Sequence, residues 1–303
     1  MRKASIAKPI FFTGVPRSGT TIAFEAFARH PNLAWPTNYT AQFPRLPQLN
    51  LLRRLLDNSR LELVGRKNQY GRARLGNRFL PMPNEAYEFW NRHGDPRFAR
   101  DYLDAASGLR ARSRLSGAVQ NLVSWQGKQR FAAKLTGPPR IGFLSAVFPD
   151  AIFVHIVRDG RAVVHSLLKV GFWREKGGFE APFWSGGPSN AWSGNPSGDP
   201  GVLAALQWRD ILAAARQEAA ALGPGQYVEL RYEDLVIEPA ARLHEVARQC
   251  GLPDCDAIDR YLRNSEKLSN MNSKYLRDFS PGYVDELARA MQPQLSLYGY
   301  TAA

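Results

Sequence analysis

Short apolar runs and helical apolar spacing alternate along this chain, and their order predicts a fold in which strands and helices take turns. Residues 9–13 (PIFFT) form an apolar run that Gly14 ends, which is typical of a short buried strand. Residues 20–30 then carry apolar side chains at helical spacing until Pro31 ends the pattern. A strand, a glycine-containing turn and a helix in this order open a βαβ unit.

The same alternation resumes in the second half of the chain. Apolar runs predict further strands at residues 130–135, 151–157 and 227–230. Helical spacing predicts helices at residues 95–114, 118–125, 140–148, 160–170 and 202–222, with mostly helix to the end. The fold class that follows is a three-layer α/β/α domain with a central parallel sheet.

Two segments interrupt this alternation. An Arg-rich stretch at residues 38–78 is less regular, and its leucines at helical spacing are Leu51, Leu52, Leu55 and Leu56. Residues 171–201 place aromatic side chains among many Gly, Ser and Pro, and a long irregular segment of this kind is typical of a functional lid. We therefore expect one domain over residues 1–303, with a helical, substrate-side insert at about 38–126 and a lid loop at 171–201.

The charge of the chain indicates an anionic partner. Its 303 residues include 40 Lys and Arg against 27 Asp and Glu, a net charge of +13, which leaves nucleic acid, a phosphorylated cofactor and an acidic membrane face open. The two cysteines, Cys250 and Cys255, are too few for a disulfide framework or a four-ligand zinc site, and they fit a reducing cytosol. Without a signal-peptide pattern or a run of about 20 apolar residues, the expected location is the cytoplasm.

A first candidate site is the segment GVPRSGTT at residues 14–21, between the first strand and the first helix. Its glycines allow a tight turn, and the amide N–H groups at the helix start converge on one point, which suits a phosphate or sulfate. Gly14 and Gly19 have the spacing of the glycines in a Walker A loop. Thr20 stands where that loop has its lysine, however, and the cation here is Arg17, so the usual hold on a β- or γ-phosphate is missing.

A second candidate site is the segment RDGRAVVHS at residues 158–166. It follows the strand at 151–157, at the carboxyl edge of the sheet, where open α/β sheets bind ligands. Two helical turns separate Arg158 from Ser166, so the two residues bracket a single phosphate only if the chain folds back at Gly160. Together with the first loop, this segment strengthens the prediction of an anion-binding edge.

These residues resemble those of the sulfotransferases that use 3′-phosphoadenosine 5′-phosphosulfate (PAPS). GVPRSGTT is similar to the 5′-phosphosulfate loop of that family, and RDGRAVVHS is similar to its 3′-phosphate motif. LRYEDLVIEP, at residues 230–239, resembles a third family segment near the nucleotide. The resemblance spans roughly residues 9–239 and implies a P-loop-like nucleotide-binding fold with PAPS as co-substrate and no required metal.

The resemblance also implies a role for each matching residue. The residues that would hold the 5′-phosphosulfate are Pro16, Arg17, Ser18, Gly19, Thr20 and Thr21. Arg158 and Ser166 would hold the 3′-phosphate, and Tyr232 would lie beside the adenine. Lys134 matches a family lysine near the bridging oxygen, where it would act with the loop, including Arg17, to stabilise the leaving phosphate. The family's C-terminal Arg-Lys-Gly segment is missing, and the candidates for its replacement are Ser273, Lys274 and Arg277.

The acceptor hydroxyl needs a general base, and the candidates lie in PMPNEAYEFWNRH, residues 81–93. Glu85 resembles the glutamate of a Pro-x-Glu element in some bacterial sulfotransferases, Glu88 follows one helical turn later, and His93 is a third candidate. Burial beside the aromatic side chains would raise the pKa of a carboxylate toward a useful value.

Two departures from known branches favour a bacterial type. Thr136 stands where the cytosolic small-molecule enzymes carry a histidine, and residues 32–39 lack the glutamate of the tyrosine-sulfating branch.

The expected function is O-sulfation, the transfer of a sulfonate group from PAPS by in-line attack of an acceptor hydroxyl. Two alternatives stay open. A P-loop kinase-like nucleotide phosphotransferase would share the glycine spacing, although Thr20 argues against it, and a non-catalytic anion- or nucleic-acid-binding protein would use only the basic surface. The acceptor would be a small molecule, a glycan or a carrier-bound chain, and an anionic one would use the same charge. A nucleic-acid partner is not expected, because no helix-turn-helix, RNP or finger pattern is present.

Overall fold

The structure is a computed structural model that describes residues 6–57, 80–173, 184, 198–264 and 268–300. Its strands are β1 (Ile10–Gly14), β2 (Leu33–Ala34), β3 (Arg130–Thr136), β4 (Ile152–Val157) and β5 (Tyr227–Arg231). They form one five-stranded sheet in the order β2-β3-β1-β4-β5, and every pairing is parallel. The predicted central parallel sheet and the P-loop-like α/β class are confirmed.

The helices lie on both faces of the sheet. Those before β3 are α1 (Thr20–Phe27), α2 (Asn38–Gln42), a 3₁₀ helix (Pro47–Asp57), α3 (Tyr87–His93) and α4 (Ala105–Gln126). Those from β3 to β5 are α5 (Ile141–Val147), α6 (Gly160–Leu167), α7 (Gly171–Trp173) and α8 (Pro200–Ala219). Those after β5 are α9 (Tyr232–Ile237), α10 (Pro239–Gln249), α11 (Ala257–Asn264), α12 (Lys274–Asp278), α13 (Pro281–Ala290) and α14 (Gln294–Leu297).

The apolar run of β1 builds the core on both sides of the sheet, because successive side chains of a strand point to opposite faces. The Phe12 ring packs against Phe24 and Phe27 of α1, with ring centroids 5.5 and 4.8 Å apart. The Phe11 ring points the other way and stacks on Phe153 of β4 at 5.6 Å. A strand buried on both faces reads as a continuous apolar run, which is why β1 was predictable.

The register of the strands brings several loops to one edge. Gly14 at the end of β1 pairs with Thr136 at the end of β3, and the Gly137 N–H donates to the Gly14 carbonyl at 3.1 Å. β4 runs parallel on the other side of β1 and ends at Val157, directly before Arg158. The carboxyl ends of β1, β3 and β4 therefore face the same side of the molecule, as a parallel sheet requires for a shared ligand site.

Some predicted elements differ from the structure. The two helices predicted at 95–114 and 118–125 are one helix, Ala105–Gln126, and β2 was not predicted. In the described part of the Arg-rich segment, Leu51 and Leu55 are exposed while Arg53 is buried, so the leucines do not form one buried side. Residues 58–79 of that segment, and most of the predicted lid at 171–201, lie outside the described residues.

Candidate active site

The turn from β1 to α1 fits an anion. Gly19 has a φ of +93°, and a Cβ there would lie 2.6 Å from Tyr232 Cδ2, so this position requires glycine. The Ser18 side chain is buried, and its Oγ has no hydrogen-bond partner in the described structure. The first N–H groups of α1, at Thr20 and Thr21, have no acceptor within the helix. An unsatisfied hydroxyl and free backbone donors at one helix start suit a phosphate or sulfate group.

Arg17 connects this turn to the second motif. It follows the buried Pro16, has a φ of +75° and is exposed, and its Nε donates a hydrogen bond to Ser166 Oγ at 2.9 Å. Arg158 Nη1 in turn donates to the Arg17 carbonyl at 2.8 Å. The structure therefore brings Arg17, Ser166 and Arg158 together in one polar group at the carboxyl edge of the sheet.

Arg158 is held on several sides. Its Nε donates to Asn272 Oδ1 at 2.8 Å, and its guanidinium carbon lies 4.3 Å from the centroid of the Tyr232 ring. Burial lowers the pKa of Arg158 from its ordinary value, and the neighbouring Tyr232 and Glu233 act in the opposite direction. A guanidinium stays positive under these conditions. Arg158 is thus a fixed cation stacked on the ring predicted to lie beside the adenine.

Asn272 is a residue that the sequence reasoning missed. Besides Arg158, it contacts Glu233, whose Oε1 accepts a hydrogen bond from Asn272 Nδ2 and whose Oε2 accepts one from the Tyr300 hydroxyl at 2.9 Å. The three residues predicted in this segment, Ser273, Lys274 and Arg277, follow Asn272 in the sequence and are exposed. The sequence reasoning considered only the charged and hydroxyl side chains of this segment as phosphate ligands. It therefore missed the side-chain amide of Asn272, which contacts Arg158.

Lys134 lies where the loop meets a cavity. It is 8% exposed on β3, in register with Phe12 of β1. Its Nζ donates to Thr21 Oγ1 at 2.9 Å and lies 2.8 Å from Glu85 Oε1. The cavity beside it measures about 220 Å³, and its lining consists of Thr21, Phe24, Glu25, Pro83, Asn84, Glu85, Tyr87 and Lys134. One cation therefore touches both the loop and the cavity.

Glu85 faces this cavity because of a local backbone turn. Ala86 has a φ of +51°, and its N–H donates to Asn84 Oδ1 at 2.8 Å, so α3 begins only after this residue. Glu85 thus lies before the helix, where its Oε1 accepts a hydrogen bond from Thr136 Oγ1 at 3.2 Å in addition to the Lys134 contact. The structure therefore brings Glu85, one of the three candidate bases, into contact with Lys134.

The other two candidate bases lie elsewhere. Glu88 is exposed in the first turn of α3 and does not line the Lys134 cavity. His93, at the end of α3, lines a different cavity that shares no lining residue with the first. Of the three candidates, the structure brings only Glu85 to Lys134.

Two further side chains of the Lys134 cavity were not predicted. Glu25, one turn after Thr21 on α1, is 5% exposed and lines the cavity, and the Tyr261 hydroxyl donates to its Oε2 at 3.4 Å. Tyr87 donates from its hydroxyl to the Thr136 carbonyl at 2.8 Å. Burial, followed by the charge of Glu85, raises the pKa of Tyr87, so its hydroxyl stays protonated. Glu25 was missed because the sequence does not show whether a glutamate within a helix lines a cavity or faces solvent.

Comparison with known proteins decides the family. The sulfotransferase family profile matches residues 9–256, most of the chain. This chain belongs to the sulfotransferase family. The predicted membership of the sulfotransferase family is confirmed.

Individual sulfotransferases differ widely from this one in sequence. Omega-hydroxy-beta-dihydromenaquinone-9 sulfotransferase Stf3 of Mycobacterium tuberculosis is 28% identical over 274 residues, which are 84% of this chain and 66% of that protein, just under two thirds of its length. Sulfotransferase STF9 from Mycobacterium avium has a TM-score of 0.62 at 16% identity, over 98% of this chain and 78% of that one. The sulfotransferase domain from the curacin biosynthetic pathway has a TM-score of 0.53 at 16% identity, over 99% and 100%. The two structures establish a shared fold.

Two general features of this sulfotransferase concern metals and membranes. Among the residues that the structure describes, no group of three or more His, Cys, Asp or Glu side chains is placed to hold a metal ion. The helices within the same residues include none with the length and apolar character needed to cross a membrane.

Proposed function

We propose that this chain transfers the sulfonate group of PAPS to the hydroxyl of a small-molecule acceptor in the cytoplasm. The observation that supports the proposal most is the continuity of the site. Arg158 and Ser166 connect through Arg17 to the loop, and the loop connects through Thr21 to Lys134 and Glu85. PAPS carries anionic groups at both ends and must present its sulfonate to the acceptor, so it needs connected anion-binding groups with a base beside them.

In this proposal the loop and Arg158 position the donor and Lys134 assists the transfer. The donor supplies the sulfonate and an adenosine 3′,5′-bisphosphate leaving group. Lys134, held by Thr21 at the loop, stabilises the negative charge that grows on the leaving phosphate oxygen, and a fixed cation does so without reorganisation. The acceptor oxygen attacks sulfur opposite that oxygen, the sulfur–oxygen bond to the phosphate breaks, and the acceptor proton passes to the Glu85 carboxylate.

The walls of the Lys134 cavity favour an uncharged acceptor end. Glu85 and Glu25 contribute two carboxylates against the single ammonium of Lys134. An anionic group next to the reacting hydroxyl would therefore meet like charge. The relative from Mycobacterium tuberculosis is named for a hydroxylated menaquinone, and we propose an acceptor of comparable kind, a small molecule with a free hydroxyl. The two free thiols, Cys250 and Cys255, fit the reducing cytoplasm.

Ligand-induced stabilisation tests the proposed donor. Adenosine 3′,5′-bisphosphate at about 100 times its Kd should stabilise the folded chain by roughly 2.7 kcal/mol, and ATP with magnesium should give much less. Thermal unfolding in the presence of each nucleotide measures the difference. Stabilisation by ATP and magnesium alone would instead support a phosphotransferase, and equal weak responses to every anion would support a non-catalytic basic surface.

The assignment of the base predicts a loss of turnover in Glu85→Gln. The amide keeps the size of the side chain but accepts no proton, so kcat should fall by roughly 10²–10⁴-fold. Binding of adenosine 3′,5′-bisphosphate, measured by calorimetry, should stay unchanged. Glu88→Gln is the matched control, because Glu88 is exposed three residues away, and it should retain full activity. Turnover that survives in Glu85→Gln and falls in Glu88→Gln would transfer the role to Glu88.

A further inference from the structure

A second cavity of about 270 Å³ lies across α3 from the Lys134 cavity. Tyr87 of α3 lines the first cavity, while Phe89, Arg92 and His93 line the second, on the opposite side of the helix by the 3.6-residue period. Its other walls come from α2, the following turn, the 3₁₀ helix and α4. The proposed sulfonate transfer uses none of its lining residues.

Part of the inner wall of the second cavity is apolar, and the two buried polar side chains that also line it, Thr40 and Asn50, hydrogen-bond to each other at 2.7 Å. Phe89 and Leu122, 5% and 1% exposed, form part of the wall from α3 and α4, and Ala118 of α4 lies beside them. The volume lies just below the roughly 300 Å³ at which ordinary small-molecule pockets begin. The cavity therefore has room for a short hydrocarbon segment rather than a whole lipid.

Positive charge surrounds this apolar space. Arg45 and Arg92 line the cavity, both are exposed, and neither forms an ion pair within the described ranges. Glu88, one turn before Arg92, makes no ion pair with it, and no Asp or Glu belongs to the lining. Burial, with the nearby Arg92 and Arg114, lowers the pKa of His93, so His93 is neutral at pH 7 and the charge resides on the two arginines.

Exposed apolar side chains continue the cavity to the protein surface. Phe43 lines the cavity and is 45% exposed, and Leu46, whose N–H donates to the Phe43 carbonyl at 3.0 Å, is 50% exposed. Phe43 and Leu46 thus add exposed apolar surface next to the cavity, and grouped apolar surface commonly marks a binding site.

We propose that the second cavity binds an anionic amphiphile, with a short apolar chain between Phe89 and Leu122 and a phosphate, sulfate or carboxylate head group on Arg45 and Arg92. The same chemistry is offered by a free amphiphile and by a lipid at a membrane surface. In both cases the chain enters past Phe43. The second cavity shares no lining residue with the Lys134 cavity, so this proposal does not depend on the proposed sulfonate transfer.

Calorimetry with three probes tests the recognition. Octyl phosphate should bind, whereas octanol, which lacks the charge, and inorganic phosphate, which lacks the chain, should each bind at least tenfold more weakly. Adenosine 3′,5′-bisphosphate is titrated into the same preparation, and its affinity should not change when octyl phosphate is present. Equal binding of inorganic phosphate or of octanol would overturn the proposal, since only one half of the site would then matter.

Variants of the chain locate the binding. The double variant Arg45→Gln, Arg92→Gln should weaken octyl phosphate binding at least tenfold, and Ala118→Leu should do the same by filling the cavity without changing its charge. Arg248→Gln removes an equal charge from an exposed position on α10 and should have no effect. Thermal unfolding and donor binding verify that each variant is folded. An equal loss in Arg248→Gln, or no loss in both cavity variants, would overturn the proposal.

Vesicles distinguish the two sources of the ligand. Cosedimentation with phosphatidylglycerol vesicles that is abolished by the Arg45→Gln, Arg92→Gln variant, and absent with phosphatidylcholine, identifies a membrane lipid. Octyl phosphate binding without vesicle binding identifies a free amphiphile.

Discussion

Replacing Lys134 by alanine should lower kcat by roughly 10²–10³-fold, the loss typical of removing one preorganised group that stabilises transition-state charge. Lys134 contacts both the loop, through Thr21, and the cavity, through Glu85. Its removal takes away the cation that we propose stabilises the leaving phosphate, and it leaves Glu85 without its ion-pair partner. Steady-state kinetics with labelled donor measure the loss.

The control for Lys134 tests position rather than charge. Lys8 is exposed just before β1, at the opposite end of the strand from the loop, and Lys8→Ala should retain full turnover. Donor binding to Lys134→Ala should remain within an order of magnitude, because Arg158, Ser166 and the loop amides are unchanged. Normal kcat in Lys134→Ala would remove Lys134 from the mechanism, and complete loss of donor binding would assign it to binding instead.

The parts of the fold that the sequence predicted well are those with a strong local signal. β1 and β4 are buried over their whole length and mostly apolar, because both faces of each strand are covered, and the turn at Gly19 needs a glycine for its left-handed backbone. The order of the motifs then places Arg17 and Arg158 at one sheet edge. Each of these inferences depends on a few neighbouring residues and on the rules for parallel sheets.

Helix boundaries were less predictable. Asp104 caps the start of α4, where its side chain accepts a hydrogen bond from the Ser107 N–H at 2.8 Å, and Gly127 caps its end with a left-handed φ of +64°. Gly117 lies within the helix, between the two segments predicted as separate helices, and a Cβ there would meet nothing within 4 Å. An exposed glycine is tolerated inside a long helix whose other residues pack well.

The parts of the site that escaped prediction depend on long-range contacts. Asn272 reaches Arg158 across 114 residues of sequence, and nothing local separates it from the exposed Ser273. The resemblance favoured Glu85 over Glu88 without placing either side chain, and the left-handed turn at Ala86 puts Glu85 before the helix, toward Lys134. The spacing of apolar residues does not reveal that one alanine, Ala86, has a left-handed backbone conformation. The placement of Glu85 beside Lys134, which supports Glu85 as the proposed base, therefore required the structure.

The proposed 3′-phosphate contact predicts a selective loss of affinity in Arg158→Lys. The ammonium keeps the charge but loses the planar donors and the stacking on Tyr232. Hydrogen bonds to charged groups contribute about 1.5–3 kcal/mol, so adenosine 3′,5′-bisphosphate should bind roughly 10–150-fold more weakly. Adenosine 5′-phosphate, which lacks the 3′-phosphate, should lose little. Calorimetry with both nucleotides measures the ratio of the two affinities.

The ratio of affinities separates recognition from folding, because Arg158 also supports the loop through the Arg17 carbonyl. A collapse of the loop would weaken both nucleotides equally, whereas loss of a 3′-phosphate contact weakens only the bisphosphate. Arg112→Gln, an exposed arginine on α4, controls for the overall charge and should leave the ratio unchanged. Equal losses for both nucleotides in Arg158→Lys would assign Arg158 to support of the loop, and the 3′-phosphate would then have to be bound elsewhere.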